Sequence, residues 1–292
     1  MTVKVGPGGD YHTISEAVEA VPFRGSHTIE IRSGIYREKL FIDKEDITLR
    51  GEGMGHTVIE YGDGAFDVMP DGTKRGTFRS QTLFLGGGRA HVTDMTIRNT
   101  AGPGDAVGQA LAVYADSSEV FMERVEISAH QDTLFLAPLP IAERSPGGFF
   151  GPRYLSERRP TVQHYKGCVI RGDVDFIFGG ADATFEECEI IVCDRNRAIN
   201  GYVCAPSEPL GGVGFEFKDC VIRGEHEGMK GTVFLARPWR PAGTVSFTDC
   251  RFDDCIDPRR FSGWKDTDSI EPEARFSETG SMDLSGRRLS CS

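Results

Sequence analysis

The chain is short of several things, and each shortage excludes a class of function. No apolar run in its 292 residues approaches the roughly 20 needed to cross a bilayer as a helix. Positive charge is in deficit, with 33 Lys and Arg against 44 Asp and Glu, and the net charge of −11 argues against broad binding to nucleic acid or to an anionic membrane surface. The same charge repels a polyanionic substrate at long range, so an acidic ligand must be neutralised locally or carried partly as a neutral derivative. No C-x-x-C pair or histidine cluster accompanies the cysteines, so no metal site is expected. The opening MTVKVGPGGDYHTISEAV lacks a basic segment followed by an apolar one, the pattern of a signal peptide. A removed leader replaced by methionine would leave the same sequence; the expectation is a cytoplasmic protein, or a secreted one if a leader was removed.

Glycine is plentiful, 36 residues, which argues for many tight turns. Four of the eight cysteines lie in a recurring pattern: YKGCVI (165–170), FEECEI (185–190), FKDCVI (217–222) and FTDCRF (247–252). Each reads aromatic, two mostly polar residues, Cys, any residue, then Ile or Phe. VTDMTI (92–97) and FMERVEI (121–127) fit more loosely, with Met95 and Val125 in the cysteine slot. The closing residues Ile97, Ile127, Ile170, Ile190, Ile222 and Phe252 are spaced by 30, 43, 20, 32 and 30 residues. Short strand-like motifs at irregular steps of about 20–45 residues indicate a solenoid. Cys, Met and Val in one slot act as small buried hydrophobes, and thiols kept reduced in such a ladder fit an intracellular compartment. We therefore expect one domain over residues 1–292, an all-β parallel β-helix.

Thr13 followed three residues later by Glu16, with Pro22 as a stop, predicts a short helix capping the N-terminal end of the stack. Residues 136–164, rich in proline, glycine and arginine, interrupt the repeat and account for the long step. Loops of this length are usually functional or disordered.

The ladder sets the register of a second pattern. Asp132 lies five residues after Ile127, as Asp175 lies five after Ile170; Phe135 and Phe178 both lie eight after. Parallel neighbours are about 4.8 Å apart, so Asp132 and Asp175 should stack with side chains pointing the same way. Two such carboxylates do not both ionise cheaply, which divides them into a protonated acid and a charged base or nucleophile. Asp173 has no partner on the preceding coil, where the equivalent position is His130, and reads as a structural or rim residue. A bland alternative makes the aspartates turn caps at a coil corner.

Several segments resemble the pectin methylesterases, in the family's order: GQALAV (108–113), QDTLF (131–135), GDVDFIFGGADATFEEC (172–188) and LARPWRP (235–241). SGIYREKL, ITLRGEG, IRNTAG and GYVCAPS are similar too, and together the matches reach from about residue 5 to about 265. The resemblance implies a single-stranded right-handed parallel β-helix and hydrolysis of the C6 methyl ester of galacturonate units, with release of methanol and no cofactor. It implies Asp175 as nucleophile and Asp132 as general acid/base. Gln109 and Gln131 would bind the oxyanion, Arg237 would hold Asp175 ionised, and Trp239, Phe135 and Phe178 would line the sugar cleft. The implied partner is a methylated oligo- or polygalacturonate, and the chain is expected to act as a monomer. Loop 136–164 is longer than in compact members and could line or lid the cleft; the tail RFSETGSMDLSGRRLSCS matches only faintly. Cys204 is expected to have no catalytic role.

Three other readings stay open on sequence. Ser128, His130 and Asp132 have the composition of a hydrolytic triad, but alternate residues of one strand point in parallel and do not converge. A carboxylate pair also suits a glycosidase or lyase on the same solenoid. The third is a non-catalytic carbohydrate-binding solenoid. An esterase for another uronate ester or an acetyl ester is a further variant of the first assignment.

Overall fold

A computed structural model describes residues 1–265 and 268–289. The last three residues of the C-terminal tail, 290–292, lie outside the described residues. Every pairing between its strands is parallel, and each strand pairs with the one that follows it by a full coil. The molecule is a parallel β-helix.

The repeat read from the sequence is the register of this helix. Ile97 pairs with Ile127, Ile127 with Ile170, and the column continues through Ile190 and Ile222 to Phe252. The aromatic column runs beside it: Tyr165, Phe185, Phe217 and Phe247 stack with ring centroids 4.7, 4.5 and 4.6 Å apart, all within 11° of parallel. That separation is the strand spacing itself, so backbone pairing imposes the ring stacking. Cys168, Cys188, Cys220 and Cys250 are buried free thiols. Each Sγ donates to a carbonyl of the preceding coil, from Cys168 to Met122 at 3.3 Å through to Cys250 to Phe217 at 3.5 Å.

The residue before each ladder slot makes the corner. Asp94, Arg124, Gly167, Glu187, Asp219 and Asp249 all have φ between 51° and 58°. A left-handed residue costs a non-glycine side chain about 1–2 kcal/mol, which the paired strands on both sides offset.

The predicted cap is the helix Ile14–Ala20. Thr13 Oγ1 accepts from the Glu16 amide and Glu16 Oε2 accepts from the Thr13 amide, both at 3.1 Å, a closed capping box. Its buried face, Ile14, Ala17 and Val18, covers the end of the core column.

The long excursion runs between the strands Leu134–Leu136 and Val162–Lys166. It folds back over the outer face of the helix, where Phe149 is buried in a second hydrophobic cluster with Phe78, Phe135 and Phe178. The helix thus carries two apolar columns, one inside the coil and one outside, roofed by the excursion.

Candidate active site

Five successive coils build the site. Gln109 precedes Ala110, whose amide donates to the Gln131 carbonyl at 3.1 Å. The Asp132 amide donates to the Val174 carbonyl at 3.1 Å, and Leu134 and Phe135 pair with Ile177 and Phe178. Asp132 and Asp175 are therefore in register on adjacent coils. Both occupy left-handed corners, φ 63° and 51°, the same local geometry as the ladder corners. Aspartate tolerates this conformation better than most residues. The pairing register shifts between Val174 and Ile177, so the chain bulges at Asp175 itself.

Arg237, just past the strand Val233–Ala236, reaches Asp175 with a two-pronged fork: Nε to Oδ1 at 2.9 Å and Nη2 to Oδ2 at 2.7 Å. The coil between them supplies Tyr202, whose ring lies 3.8 Å from the guanidinium carbon; the Trp264 ring lies 4.4 Å from the same atom. Burial works against the Arg237 charge, and the Asp175 carboxylate more than offsets it, so the arginine pKa is raised. The Asp132 pKa is raised well above the usual 3.8, chiefly by burial and then by the charge of Asp175, with Arg237 opposing. The two acids are thus unlike: one is gripped by an arginine, and the other has no cation of its own among the described residues.

Gln109, Gln131, Asp132, Asp175, Arg237, Trp239 and Phe178 all face one cavity of about 340 Å³. Gln131 packs against the chain at Gly104, where an added Cβ would fall 2.6 Å from its Oε1, so a side chain there would displace the amide.

Phe135 departs from the expectation. It points out of the coil, as its register requires, but it is fully buried, with Phe78, Tyr114 and Phe178 centred 4.9, 4.7 and 5.0 Å away. Phe78 covers it, and the excursion's Phe149 packs in turn on Phe78, so Phe135 supports the cleft floor rather than lining it. Asp173 is not a rim residue: it is 1% exposed, accepts from the Val174 amide at 2.6 Å, and its Oδ2 lies 3.2 Å from His130 Nδ1. That contact turns His130 to Asp173, so Ser128, His130 and Asp132 do not assemble as a triad. Cys204 is buried in the core and faces away from the cavity chemistry, its Sγ donating to the Leu235 carbonyl.

The sequence reading missed other wall residues. Thr77 and Phe78 come from a 3₁₀ turn with no motif, Trp264 from the last coils, and Arg144, Ser145, Gly148 and Phe149 from the excursion. The arginines of the excursion were the one available signal. Asn99, in IRNTAG, braces the coil behind Gln109: its side-chain amide donates to the carbonyls of Asp63, Ser80 and Leu111 at 2.9–3.0 Å.

Fold and site together define a class: a parallel β-helix whose outer face carries two in-register carboxyls, an arginine fork and two amides in one cleft. Comparison with known proteins narrows it. The profile of the pectinesterase family matches residues 1–139 and 154–281, and the chain belongs to that family. Probable pectinesterase 56 of Arabidopsis thaliana is 35% identical over 266 residues, which cover 88% of this chain and 81% of that protein. Probable pectinesterase/pectinesterase inhibitor 64 of the same plant is 31% identical over 87% of this chain, but the chain spans only 41% of its length. Carrot pectin methylesterase superposes with a TM-score of 0.77 at 26% identity, covering 99% of this chain and 86% of that one. A pectin methylesterase crystallised with a hexasaccharide shares the fold, with a TM-score of 0.80 at 23% identity over 98% and 90% of the two chains.

The cytoplasmic expectation is corrected by these matches. The relatives are plant pectinesterases, enzymes of the cell wall, outside the membrane. The cysteines misled because a free thiol buried in the core is a packing residue and does not report the compartment.

Proposed function

We propose that this chain is a pectin methylesterase, removing the C6 methyl ester from galacturonate units and releasing methanol. The observation that carries the reading is the fork from Arg237 to Asp175 with Asp132 in register on the neighbouring coil. The fork presents Asp175 as a charged carboxylate aimed into the cavity. Its oxygen attacks the ester carbonyl carbon, and the carbonyl π pair moves onto oxygen. Gln109 and Gln131 supply neutral N–H donors to that oxyanion, which do not compete with Arg237 for the nucleophile; a donor of this kind is worth about 3 kcal/mol. Collapse expels methoxide, which takes the proton of Asp132 and leaves as methanol. The resulting mixed anhydride is opened by water, whose proton returns to Asp132, leaving free galacturonate and Asp175. The raised pKa of Asp132 supplies the protonated acid that the first step consumes.

Trp239 and the edge of Phe178 form the apolar wall, the tryptophan ring 5.5 Å from the phenylalanine. The test is methanol release from methylated pectin and from methylated oligogalacturonates, with chain length followed in parallel. Methanol without chain shortening is expected. Shortening without methanol would make the chain a glycosidase or lyase instead; binding with neither would make it a lectin-like solenoid.

A further inference from the structure

Two aspartates stand two residues apart in GDVDFIFGG, and the reaction as drawn uses only Asp175. Asp173 is the more deeply buried of the two, 1% exposed against 6%. A carboxyl taken out of water needs compensation, so its retention calls for a reason. The backbone fixes where it sits. The Asp173 amide donates to the His130 carbonyl at 3.0 Å, and the Asp132 amide donates to the Val174 carbonyl at 3.1 Å. The Tyr202 amide closes on the Asp173 carbonyl at 3.1 Å from the next coil. Gly201 permits that approach, since a Cβ there would fall 2.0 Å from the Asp173 carbonyl oxygen. Asp173 is thus locked against the turn that presents Asp132.

Its side chain is placed to accept. Oδ1 accepts from the Val174 amide at 2.6 Å, and Oδ2 lies 3.2 Å from His130 Nδ1, which donates when it carries the proton. Among the described residues, no arginine or lysine lies within ion-pair distance of Asp173. Cys193, on the following coil, is a neutral thiol that burial pushes up to about 11, and Arg171 beside it is paired with Glu225 at 3.2 Å. His130 is therefore the one group that answers the charge of Asp173. The charges that act on Asp132 are Asp175, Arg237 and Asp173. Burial and Asp175 raise its pKa most, Asp173 adds to the rise, and Arg237 opposes it.

The reaction gives Asp173 a part that the other charges do not have. Attack turns the Asp175 carboxylate into a neutral anhydride, and Asp132 gives its proton to methoxide. Arg237 then has no carboxylate at Asp175 to answer it, and favours a charged Asp132 just when Asp132 must take a proton from water. Of the three carboxyls, Asp173 alone is left unchanged by every step.

We propose that Asp173 is a positioning residue for the catalytic proton: its buried negative charge, held beside the turn 130–132 by His130 and the Val174 amide, keeps that proton on Asp132. The inference rests on the esterase reading and deepens it. The structural alternative is that Asp173 only caps the Val174 amide and ties two coils together.

The test is the pH profile of kcat/KM for methanol release from one methylated oligogalacturonate by the full chain. Asp173→Asn keeps an oxygen for the Val174 amide and removes the charge. The limb that falls at high pH should move down by about half a unit, roughly threefold in kcat/KM above the limb. His130→Lys sets a permanent cation against Asp173 at a side chain that is 34% exposed, leaving the buried carboxyl in place, and should move the limb the same way. A folded Asp173→Asn variant whose limb stays in place or moves up overturns the inference, whether its rate is kept or lost, because capping alone requires no such shift. Should that variant fail to fold, a His130→Lys limb that does not move overturns it. Either result leaves the esterase reading intact, since the parent still releases methanol. Absence of methanol with the parent would remove that reading and this inference with it.

Discussion

Replacing Arg237 by glutamine removes the only cation that touches Asp175 among the described residues while keeping a polar side chain of similar reach. The side chains of the pair are 18% and 9% exposed, so water screens them little and the modest figure typical of surface ion pairs does not apply. Removing one partner of a buried pair costs about 3–5 kcal/mol, because the other charge is left behind. The glutamine amide and entering water recover part of this, which favours the lower end. Asp175 then pays about 3 kcal/mol to remain charged beside Asp132, or takes up a proton and stops being a nucleophile. Either way kcat/KM should fall by about 10²-fold, at about 1.4 kcal/mol per decade. Arg237→Lys keeps the charge but loses the fork and the stacking on Tyr202 and Trp264, and should fall by roughly tenfold. The assay is initial-rate methanol release on one methylated oligogalacturonate, with near-ultraviolet circular dichroism to confirm folding. An Arg237→Gln variant that is folded and within about threefold of the parent would refute the electrostatic argument.

Because the first step needs Asp132 protonated, kcat/KM should fall as pH rises through the raised pKa of Asp132; a rate that instead climbs across that range contradicts the role. The same shift has a consequence for stability. A carboxyl whose folded pKa lies above its usual 3.8 is protonated in both states below that usual value; its cost to folding grows as pH rises from there and is complete once pH passes the folded value. Asp132→Asn should therefore abolish turnover yet raise Tm at neutral pH, with the gain vanishing near pH 3 by thermal denaturation; an unchanged Tm at neutral pH would remove the burial argument. Phe135→Ala should destabilise the fold by about 3–5 kcal/mol in urea titration, since it empties a fully buried site. A variant that keeps its stability but raises KM would restore Phe135 to the sugar-binding wall.

The fold was legible because its two columns are written into local sequence. Cys, Ile and the stacked aromatics recur at positions that only a coil can superimpose, and counting from Ile127 and Ile170 brought Asp132 and Asp175 level. Corners were not legible, since Asp, Arg, Gly and Glu all serve at the left-handed position and share no chemistry. Phe135 was assigned to the cleft lining by resemblance, and its full burial depends on neighbours that the register does not reveal. Phe78, which covers it, and Phe149, which packs on Phe78, lie 57 residues before and 14 residues after it in the chain. Asp173 and His130 were placed opposite each other correctly, but their contact depends on side-chain rotation, which spacing does not fix. Arg144 sits in a segment with no repeat to count from, so its place beside Trp264 emerges only when the excursion folds over the cleft.

The central claim, a charged nucleophile and a protonated acid brought level by successive coils, is tested most directly at Asp175. Asn fits the same left-handed corner and nearly the same volume, so Asp175→Asn removes the attacking carboxylate oxygen, at the cost of leaving the Arg237 charge without its partner, and the test is made on a variant shown to be folded. Methanol release from a methylated oligogalacturonate by the folded variant should drop to the uncatalysed background. Turnover near the parent rate would mean that another group attacks the ester, and the division of labour between Asp175 and Asp132 would be wrong.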